Sequence, residues 1–351
     1  MSDIEVIRTA DAAALGGFDV LIDVRSPSEF AEDHAPGAIN LPVLDDAERA
    51  VVGTIYVQES RFRARRIGAA LVARNIARHL ETALADQPGS FRPLVYCWRG
   101  GQRSNAMATV LNQVGWRAAV LEGGYRTYRR HVKARLYDEV SPLRLVMIDG
   151  HTGSAKTEIL NRVAARNVQI LDLEALAEHR GSLLGALPGR PQPSQKMFES
   201  RLLQAMDRLD PSRPTLVEAE ASKIGERMVP PALWQVMVRS PRISLEVPPE
   251  ARARYLAKVY AETVADLDAL EALLARLPGR HGRKRIAAWR ALAEAGELEA
   301  LAAELIEAHY DPAYGRVAAL DPRPRLGVME LQDLGEADQE AAADRIAAMI
   351  G

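Results

Sequence analysis

Cys97 is the residue with the clearest potential for chemistry, and it is the only cysteine among the 351 residues. It follows an apolar stretch, Leu94, Val95 and Tyr96, and precedes a loop that reads WRGGQRS over residues 98–104. Backbone N–H groups, arginine side chains and a helix N-terminus each favour a thiolate over a thiol. Most lone cysteines are small buried apolar residues. We nevertheless expect a reactive thiolate, because two arginines and two glycines are poor neighbours for a residue that only packs.

The loop after Cys97 supplies candidate catalytic and anion-binding residues. We predict that Cys97 is the nucleophile and that Arg99 and Arg103 stabilise negative charge. The residues expected to form the rest of the anion loop are Trp98, Gly100, Gly101, Gln102 and Ser104. The Ser104 hydroxyl is expected to cap the helix that follows. The apolar residues predicted on the buried face of that helix are Met107, Val110, Leu111 and Val114.

A second candidate site follows a predicted apolar strand at residues 143–148. Gly150, Lys156 and Thr157 have the spacing of the P-loop, G-x-x-x-x-G-K-[ST], but Ala155 replaces the second glycine. We expect the Ala155 methyl group either to require ordinary backbone angles or to crowd the phosphate. Thr157 is also a candidate ligand for magnesium. The predicted phosphate-binding residues are Gly150, His151, Thr152, Gly153, Ser154, Lys156 and Thr157.

Carboxylates end two further predicted strands. Asp172 follows the strand at residues 168–171, and Glu218 and Glu220 end the strand at residues 215–220. Carboxylates at strand ends take part in acid–base chemistry or lie beside a metal ion. They serve about equally often only as helix caps. Polar side chains between these strands are candidate substrate contacts: His179, Arg180, Ser182, Gln195 and Lys196.

Composition excludes several classes of protein. Hydrophobic residues make up 48% of the chain, charged residues 26%, and the mean hydropathy is −0.15, as in a soluble globular protein. No apolar run is long enough to span a bilayer, and no secretory signal is expected, so we predict a cytoplasmic protein without a membrane partner. One cysteine excludes an internal disulfide and a four-thiolate zinc site.

The charge distribution requires any nucleic-acid surface to be local. The net charge of −2 gives no overall attraction to a polyanion. Three basic stretches are candidates, at residues 61–66, 125–135 and 280–285.

Several separated stretches resemble the rhodanese (sulfurtransferase) domain. They are residues 21–25 (LIDVR) with Glu29 and Phe30, residues 34–40 (HAPGAIN), the cysteine loop, and residues 121–124 (LEGG). Five residues separate Cys97 from Arg103, whereas ordinary sulfurtransferases have four in this position. Five is typical of rhodanese-like phosphatases and arsenate reductases, so a larger anion than a sulfane sulfur is expected.

The chain as a whole resembles the bacterial tRNA 2-selenouridine synthase family over about residues 10–315. Besides the two loops, the resemblance is carried by residues 172–174 (DLE), 179–182 (HRGS), 192–196 (QPSQK), 224–225 (IG) and 310–312 (YDP). It implies replacement of sulfur by selenium at the wobble 2-thiouridine in the anticodon stem-loop of tRNA. Selenophosphate would be the selenium donor, and geranyl diphosphate would supply a geranyl group that makes the sulfur a leaving group.

The resemblance also implies roles for the two loops. Cys97 would attack selenium or carry it as a perselenide, and the P-loop is expected to hold geranyl diphosphate. Both donors are co-substrates, so no tightly bound cofactor is implied, and no metal ion is certain beyond the candidate magnesium.

The predicted fold class is α/β, because strands and helices alternate along most of the chain. We expect a rhodanese-like parallel-sheet domain over residues 10–138 and a P-loop NTPase-like α/β domain over residues 143–248. A helical extension packed on the P-loop domain is predicted over residues 249–315, and residues 316–351 are assigned to a C-terminal tail segment.

The residues are also compatible with two other functions. A rhodanese-like cysteine phosphatase or arsenate reductase would explain the five-residue spacing of the cysteine loop. A non-enzymatic RNA-binding module with a vestigial thiol would explain the basic stretches, but the complete anion loop argues against it.

Overall fold

Two compact units make up the protein in this computed structural model. The structure describes residues 4–182, 185–187, 189–219, 221–259, 261, 267–268, 270, 274, 277, 281–312 and 322–351. One unit consists of Met1–Glu139 with Glu199–Asp207, and the other of Val140–Phe198 with Arg208–Gly351. Each contains a five-stranded sheet whose paired neighbours run parallel. The predicted α/β class with two parallel-sheet domains and a helical C-terminal part is therefore confirmed.

The sheet of the first unit has the strand order β1-β5-β4-β2-β3. Its strands are β1 (Glu5–Ile7), β2 (Val20–Asp23), β3 (Ala38–Asn40), β4 (Pro93–Tyr96) and β5 (Ala119–Leu121). Its helices are α1 (Ala12–Leu15), α2 (Pro27–Glu32), α3 (Asp46–Gln58), α4 (Arg61–Glu81), α5 (Gln102–Val114) and α6 (Tyr125–Lys133), the last continued by a π-helical turn, Ala134–Asp138. All four residues of the central strand β4 are buried, as expected for a parallel strand covered on both faces. Cys97 follows this strand directly.

Two details of the first unit concern where its helices begin and end. Helix α4 begins at Arg61, because the Ser60 hydroxyl accepts a hydrogen bond from the Arg63 N–H (3.3 Å) and caps it. Val114 was predicted to be buried with Met107 and Leu111, but its side chain is 53% exposed. Helix α5 ends at this residue, since Gly115 adopts a left-handed conformation (φ 111°) that turns the chain away.

The sheet of the second unit has the strand order β12-β11-β6-β8-β7. Its strands are β6 (Arg144–Gly150), β7 (Gln169–Leu171), β8 (Pro214–Glu218), β11 (Arg242–Glu246) and β12 (Arg325–Glu330), and β9 (Lys223–Ile224) and β10 (Arg227–Met228) form a separate antiparallel pair. The helices are α7 (Lys156–Ala164), α8 (Leu173–Ala177), α9 (Gln195–Asp207, of which residues from Glu199 on count with the first unit), α10 (Pro231–Met237), α11 (Pro249–Val259), α12 (Gly282–Glu294), α13 (Leu298–Leu305) with a π-helical turn Ile306–Tyr310, and α14 (Glu336–Ile350).

Apolar packing fixes the end of β6, where the second candidate site begins. Ile148 on β6, Leu245 on β11 and Ile159 on α7 are buried in one cluster with Ile346 of α14. The predicted C-terminal tail segment, residues 316–351, thus contains an edge strand of the sheet and a helix of its core. Among the described residues, no helix has the length and apolarity needed to cross a membrane.

Candidate active site with a thiol loop and a phosphate loop

The Cys97 thiol lies at the carboxyl end of β4, beneath the N-terminus of α5. The residue is only 3% exposed. Its Sγ accepts a hydrogen bond from the Gly101 N–H (3.3 Å) and lies 3.3 Å from the Ser104 hydroxyl oxygen. The thiol is therefore surrounded by donors that suit a negatively charged sulfur.

These donors change the acidity of the thiol. Burial alone raises the pKa of Cys97, but hydrogen bonds from the Ser104 hydroxyl and from the backbone N–H groups of Ser104, Arg99 and Gly101 outweigh it, and the pKa lies below its ordinary value. The expected thiolate thus rests chiefly on hydrogen bonds. Ser104 was predicted to cap α5, and this was wrong: Gly101 is the N-cap, and the Ser104 hydroxyl, one turn inside the helix, contacts Cys97 and the Gly101 carbonyl (3.1 Å).

A tight turn at residues 121–125 supports the cysteine loop from below. The Tyr125 N–H donates to the Cys97 carbonyl (2.8 Å), and the Arg126 N–H donates to the Trp98 carbonyl (3.2 Å). Gly124 has a φ of 57°, and a Cβ there would overlap the Cys97 carbonyl oxygen. The Trp98 ring stacks on Tyr125 with centroids 5.2 Å apart. The two backbone segments can approach this closely only because glycine has no side chain.

A buried charged group holds Tyr125 in turn. Arg25 makes an ion pair with Asp23 (2.6 Å), donates to the Asp33 carbonyl (2.6 Å), and lies 4.0 Å from the centroid of the Tyr125 ring. The Tyr125 hydroxyl donates to the Asp33 carboxylate (2.7 Å). Burial raises the pKa of Asp33 above its ordinary value. The Tyr125 ring and the charged groups that contact it therefore fix the position of the cysteine loop.

The two arginines proposed for catalysis occupy different surroundings. Arg103 forms an ion pair with Glu29 (3.2 Å), and Glu29 also binds Arg49 of α3 (3.1 Å). Although burial raises it, the pKa of Glu29 lies below its ordinary value because of Arg103 and its other partners. Arg99 is exposed. Their roles toward an oxyanion stay predictions, as does that of Gln102, the exposed first residue of α5.

The second loop encloses a cavity of about 260 Å³ at the carboxyl end of β6. The predicted residues Gly150, Thr152, Gly153, Ser154, Lys156 and Thr157 all line it, while His151 of the same loop does not contribute to the lining. The Lys156 ammonium donates to the Gly150 carbonyl (3.0 Å), across the loop. Gly153 has a φ of 86°, a conformation suited to glycine.

Ala155 behaves differently from both of our expectations. Its backbone is left-handed (φ 57°, ψ 33°), as a glycine's would be, and its side chain is 3% exposed within the apolar cluster that contains Ile159 and Leu245. A left-handed alanine costs about 1–2 kcal/mol, and burying its methyl group offsets roughly 0.8 kcal/mol of that. The methyl group thus packs into the core and leaves the phosphate loop intact.

Two glutamates converge on Thr157. Its hydroxyl oxygen lies 3.0 Å from the Glu174 carboxylate and 3.2 Å from the Glu218 carboxylate. Glu218 is fully buried and accepts a hydrogen bond from the Leu173 N–H (3.0 Å). A hydroxyl has one proton, so it can serve only one of the two carboxylates at a time.

The other two acidic candidates do not join this group. Asp172 caps α8 by accepting a hydrogen bond from the Ala175 N–H (2.7 Å), and burial raises its pKa. Glu220 lies outside the described residues. Glu174, which sequence reasoning did not single out as a candidate, lines the cavity in their place.

A cluster of charged side chains, centred on Arg252 of α11, holds the phosphate loop in place. Arg252 of α11, 3% exposed, binds both carboxylate oxygens of Asp311 (2.8 and 2.6 Å) and donates to the Thr152 carbonyl (3.3 Å). The His151 ring nitrogen Nδ1 lies 2.8 Å from the same carboxylate. Burial raises the pKa of Asp311, but Arg252 and His151 outweigh it and lower the pKa overall. The YDP stretch signalled Asp311, whereas nothing in the sequence pattern distinguished Arg252.

The five polar residues proposed as substrate contacts separate into two groups. Arg180 and Ser182 line the cavity. His179 is 9% exposed, and side chains at Gly185 or Gly225 would collide with its ring. The side-chain amide of Gln195 donates to the Met228 carbonyl and accepts from the Met228 N–H (2.9 Å each), and Lys196 is half-buried in the first turn of α9. We place only Arg180 and Ser182 at the cavity.

One wall of the cavity is apolar, which the sequence analysis missed. Tyr255, Leu256 and Val259 of α11 line it beside the phosphate loop. Leu256 lies so close to Gly153 that a Cβ at this glycine would be 2.8 Å from its Cγ. These residues belong to an alanine- and arginine-rich helix whose pattern indicates only packing. The arrangement suits a ligand with a phosphorylated end and an apolar end.

Two family models match the chain. The model described as tRNA 2-selenouridine synthase AAA domain matches residues 143–321, and the rhodanese-like domain model matches residues 9–131.

Curated relatives match most of the length of the chain. The tRNA 2-selenouridine synthase of Nitrosomonas europaea is 34% identical over 69% of this chain and 64% of its own length, and that of Chromohalobacter salexigens is 35% identical over 70% and 66%. The tRNA 2-selenouridine synthase of Cupriavidus pinatubonensis is 33% identical over 84% of this chain and 87% of its own length. The matched part thus spans just under two thirds of the first two relatives and most of the third.

Substituting Ser104 with alanine tests the origin of the thiol's acidity. Because the Ser104 hydroxyl is the leading influence that lowers the pKa of Cys97, the pH midpoint of iodoacetamide alkylation should move upward in Ser104→Ala. Alkylation near neutral pH should slow accordingly, since only the thiolate reacts. Ser141→Ala, which removes a buried serine hydroxyl elsewhere, is the matched control and should keep the wild-type midpoint. An unchanged midpoint in Ser104→Ala would contradict the assignment.

Proposed function

Since the chain belongs to the tRNA 2-selenouridine synthase family, we propose that it replaces the sulfur of the wobble 2-thiouridine of tRNA with selenium. In this proposal, geranyl diphosphate first alkylates the sulfur, and selenophosphate then supplies selenium. The observation that carries the proposal is the cavity in the second unit, which combines a phosphate loop with an apolar wall. The protein is proposed to act in the cytoplasm, where its tRNA substrate is found.

The phosphate end of the cavity suits a diphosphate. The amides of the loop at residues 150–154, the Lys156 ammonium and the Arg180 guanidinium surround it. Ser154 is 1% exposed, and its hydroxyl has no hydrogen-bond partner within the described part of the chain. A phosphate oxygen would satisfy that hydroxyl. Diphosphate recognition of this kind needs no nucleotide base.

The apolar end suits the hydrocarbon part of a prenyl donor. Tyr255, Leu256 and Val259 would cover the geranyl chain and keep water from the reacting carbon. In the alkylation, the 2-thiouridine sulfur attacks C1 of the geranyl group, the carbon–oxygen bond breaks, diphosphate leaves, and the N3 proton of the base is lost. The loop amides and Lys156 would stabilise the charge on the departing diphosphate.

A magnesium ion fits the residues around Thr157. The Thr157 hydroxyl and the Glu174 carboxylate are oxygen ligands of the kind that magnesium prefers, and two carboxylates facing one hydroxyl favour a cation between them. When bound, the ion would neutralise charge on the diphosphate. Glu218 would hold Thr157 and the start of α8 in place.

The cysteine loop is proposed to release selenium by attacking phosphorus. Selenium in selenophosphate is already at the selenide level, so the perselenide that we first expected on Cys97 would need an oxidant. Attack of the Cys97 thiolate on phosphorus needs none: a sulfur–phosphorus bond forms, the phosphorus–selenium bond breaks, and hydroselenide leaves. Hydroselenide then adds to C2 of the geranylated base, geranylthiolate departs, and water hydrolyses the cysteinyl phosphate.

Separate variants should divide the two half-reactions. Lys156→Ala should slow geranylation of 2-thiouridine RNA by about 10- to 100-fold, since it removes a charged hydrogen bond to the diphosphate. It should still convert RNA that was geranylated beforehand. Cys97→Ala should show the opposite pattern. Mass spectrometry of nucleosides from the digested RNA measures both products.

The exposed Lys258 on α11 offers a matched control for the first variant. Lys258→Ala removes the same ammonium group without touching the cavity lining, so geranylation should stay at the wild-type rate. The assignment fails if Lys156→Ala leaves geranylation intact while Cys97→Ala abolishes it.

Selenophosphate labelled with ³²P tests the atom that Cys97 attacks. Denaturing the enzyme during turnover should trap ³²P on the protein, because attack at phosphorus gives a cysteinyl phosphate. Cys97→Ser should lose the label that is sensitive to iodine, a reagent that cleaves sulfur–phosphorus bonds. Turnover of selenophosphate with selenium but no phosphorus on Cys97 would refute attack at phosphorus.

A further inference from the structure

The corner between α3 and α4 exposes aromatic and apolar side chains. Phe62 is 76% exposed, Val57 83% and Tyr56 42%. Exposed aromatic rings are the platforms on which unpaired RNA bases stack. Large apolar side chains grouped on a surface generally mark a place of contact with a partner.

Positive charge surrounds these rings. Residues 49–78 contain seven arginines and one glutamate, in a chain whose net charge is −2. The glutamate, Glu59, is paired with Arg63. Arg65 and Arg66 are exposed and have no carboxylate partner in the part of the chain that the structure describes. Phe62 and Arg66 are four residues apart on one helix and therefore share its outer face. Arg61 lies over the Tyr56 ring, 5.6 Å from its centroid.

The other two basic stretches lack this combination. In residues 125–135, Tyr125 and Tyr128 are buried, and Arg129 and Arg135 are paired with Glu199 and Asp207. In residues 281–285, the described part of the third stretch, the cations are exposed, but the neighbouring Trp289 is fully buried. Of the three stretches, the α3–α4 corner alone offers exposed rings beside unpaired arginines within the described residues.

Helix α3 connects this corner to the thiol loop. Its Arg49 shares Glu29 with Arg103, which belongs to the first turn of α5. From Arg49 to Tyr56 the helix rises roughly 10 Å, at 1.5 Å per residue. A nucleic-acid loop on the corner would therefore lie within a few nucleotides of Cys97.

We propose that the α3–α4 corner is the docking surface for the single-stranded loop of the RNA substrate. Bases stack on Phe62 and Tyr56, and Arg61, Arg65 and Arg66 bind the phosphates on either side. Charge complementarity and exposed rings favour an RNA loop over a protein partner or a paired helix, whose bases are not available for stacking. This rests on the proposed function, which it extends by giving the RNA a place to bind.

Fluorescence anisotropy with two RNAs tests the surface. One probe is a labelled anticodon stem-loop that carries 2-thiouridine, and the other is a fully paired RNA of equal length. Phe62→Ala should weaken stem-loop binding by about 5- to 150-fold, the usual cost of losing one stacked base. Binding of the paired RNA should change by less than about twofold. Arg65→Gln with Arg66→Gln should reduce the slope of log affinity against log salt by roughly 1.4.

Arg283→Gln with Arg285→Gln is the matched control, because it removes the same charge from the third basic stretch. It should leave stem-loop binding within about twofold of the wild type. Unchanged thermal unfolding and an unchanged rate of Cys97 alkylation would show that each variant is folded. Wild-type stem-loop affinity in Phe62→Ala, or equal weakening of both RNAs, would overturn the proposal.

The same RNA separates this proposal from the proposed function. A wild-type enzyme that binds the stem-loop through the corner but never converts its 2-thiouridine would contradict the function and support the surface. A wild-type enzyme that converts it while the corner variants bind normally would contradict the surface alone.

Discussion

The thiol site depends on two backbone segments that approach one another without side chains between them. At Gly124 there is no space for a Cβ against the Cys97 carbonyl, and a Cβ at Gly100 would lie 2.7 Å from the Leu121 carbonyl oxygen. The turn after β5 therefore sets the path of the cysteine loop, and that path brings the Gly101 N–H and the Ser104 hydroxyl to the sulfur. The lowered pKa of Cys97 follows from this backbone geometry and from the Ser104 hydroxyl that it brings to the sulfur.

The second site uses the same arrangement of strand, loop and helix N-terminus with different support. Its loop is fastened by the Arg252–Asp311 pair, which reaches the Thr152 carbonyl, and by the close contact of Leu256 with Gly153. Both supports involve residues of α11. This helix therefore both holds the phosphate loop in place and supplies the apolar wall, so the proposed specificity for a prenyl diphosphate arises from residues outside the P-loop motif.

Much of this could be predicted from sequence because the signals were local. Buried parallel strands read as continuous apolar runs, and the glycine-rich loops after them marked both sites. What depended on distant residues could not be predicted. Ala155 departs from the P-loop pattern, yet its methyl group is buried in a cluster that includes Leu245 of β11, far away in the sequence. Glu174 and the apolar wall reach the cavity, and Arg252 reaches the Thr152 carbonyl, only through tertiary packing. The position of Ser104 fits both a helix cap and a hydrogen-bond partner of the thiol, and sequence spacing alone does not distinguish the two.

A time course of nucleoside masses with the wild-type enzyme tests most directly whether geranylation precedes selenium transfer. A tRNA that carries 2-thiouridine would be incubated with geranyl diphosphate and selenophosphate, without a nucleoside triphosphate. We expect 2-geranylthiouridine to appear first and to decay as 2-selenouridine accumulates, with geranylthiol released. Accumulation of 2-selenouridine at the same rate without geranyl diphosphate, or only when a nucleoside triphosphate is added, would contradict it.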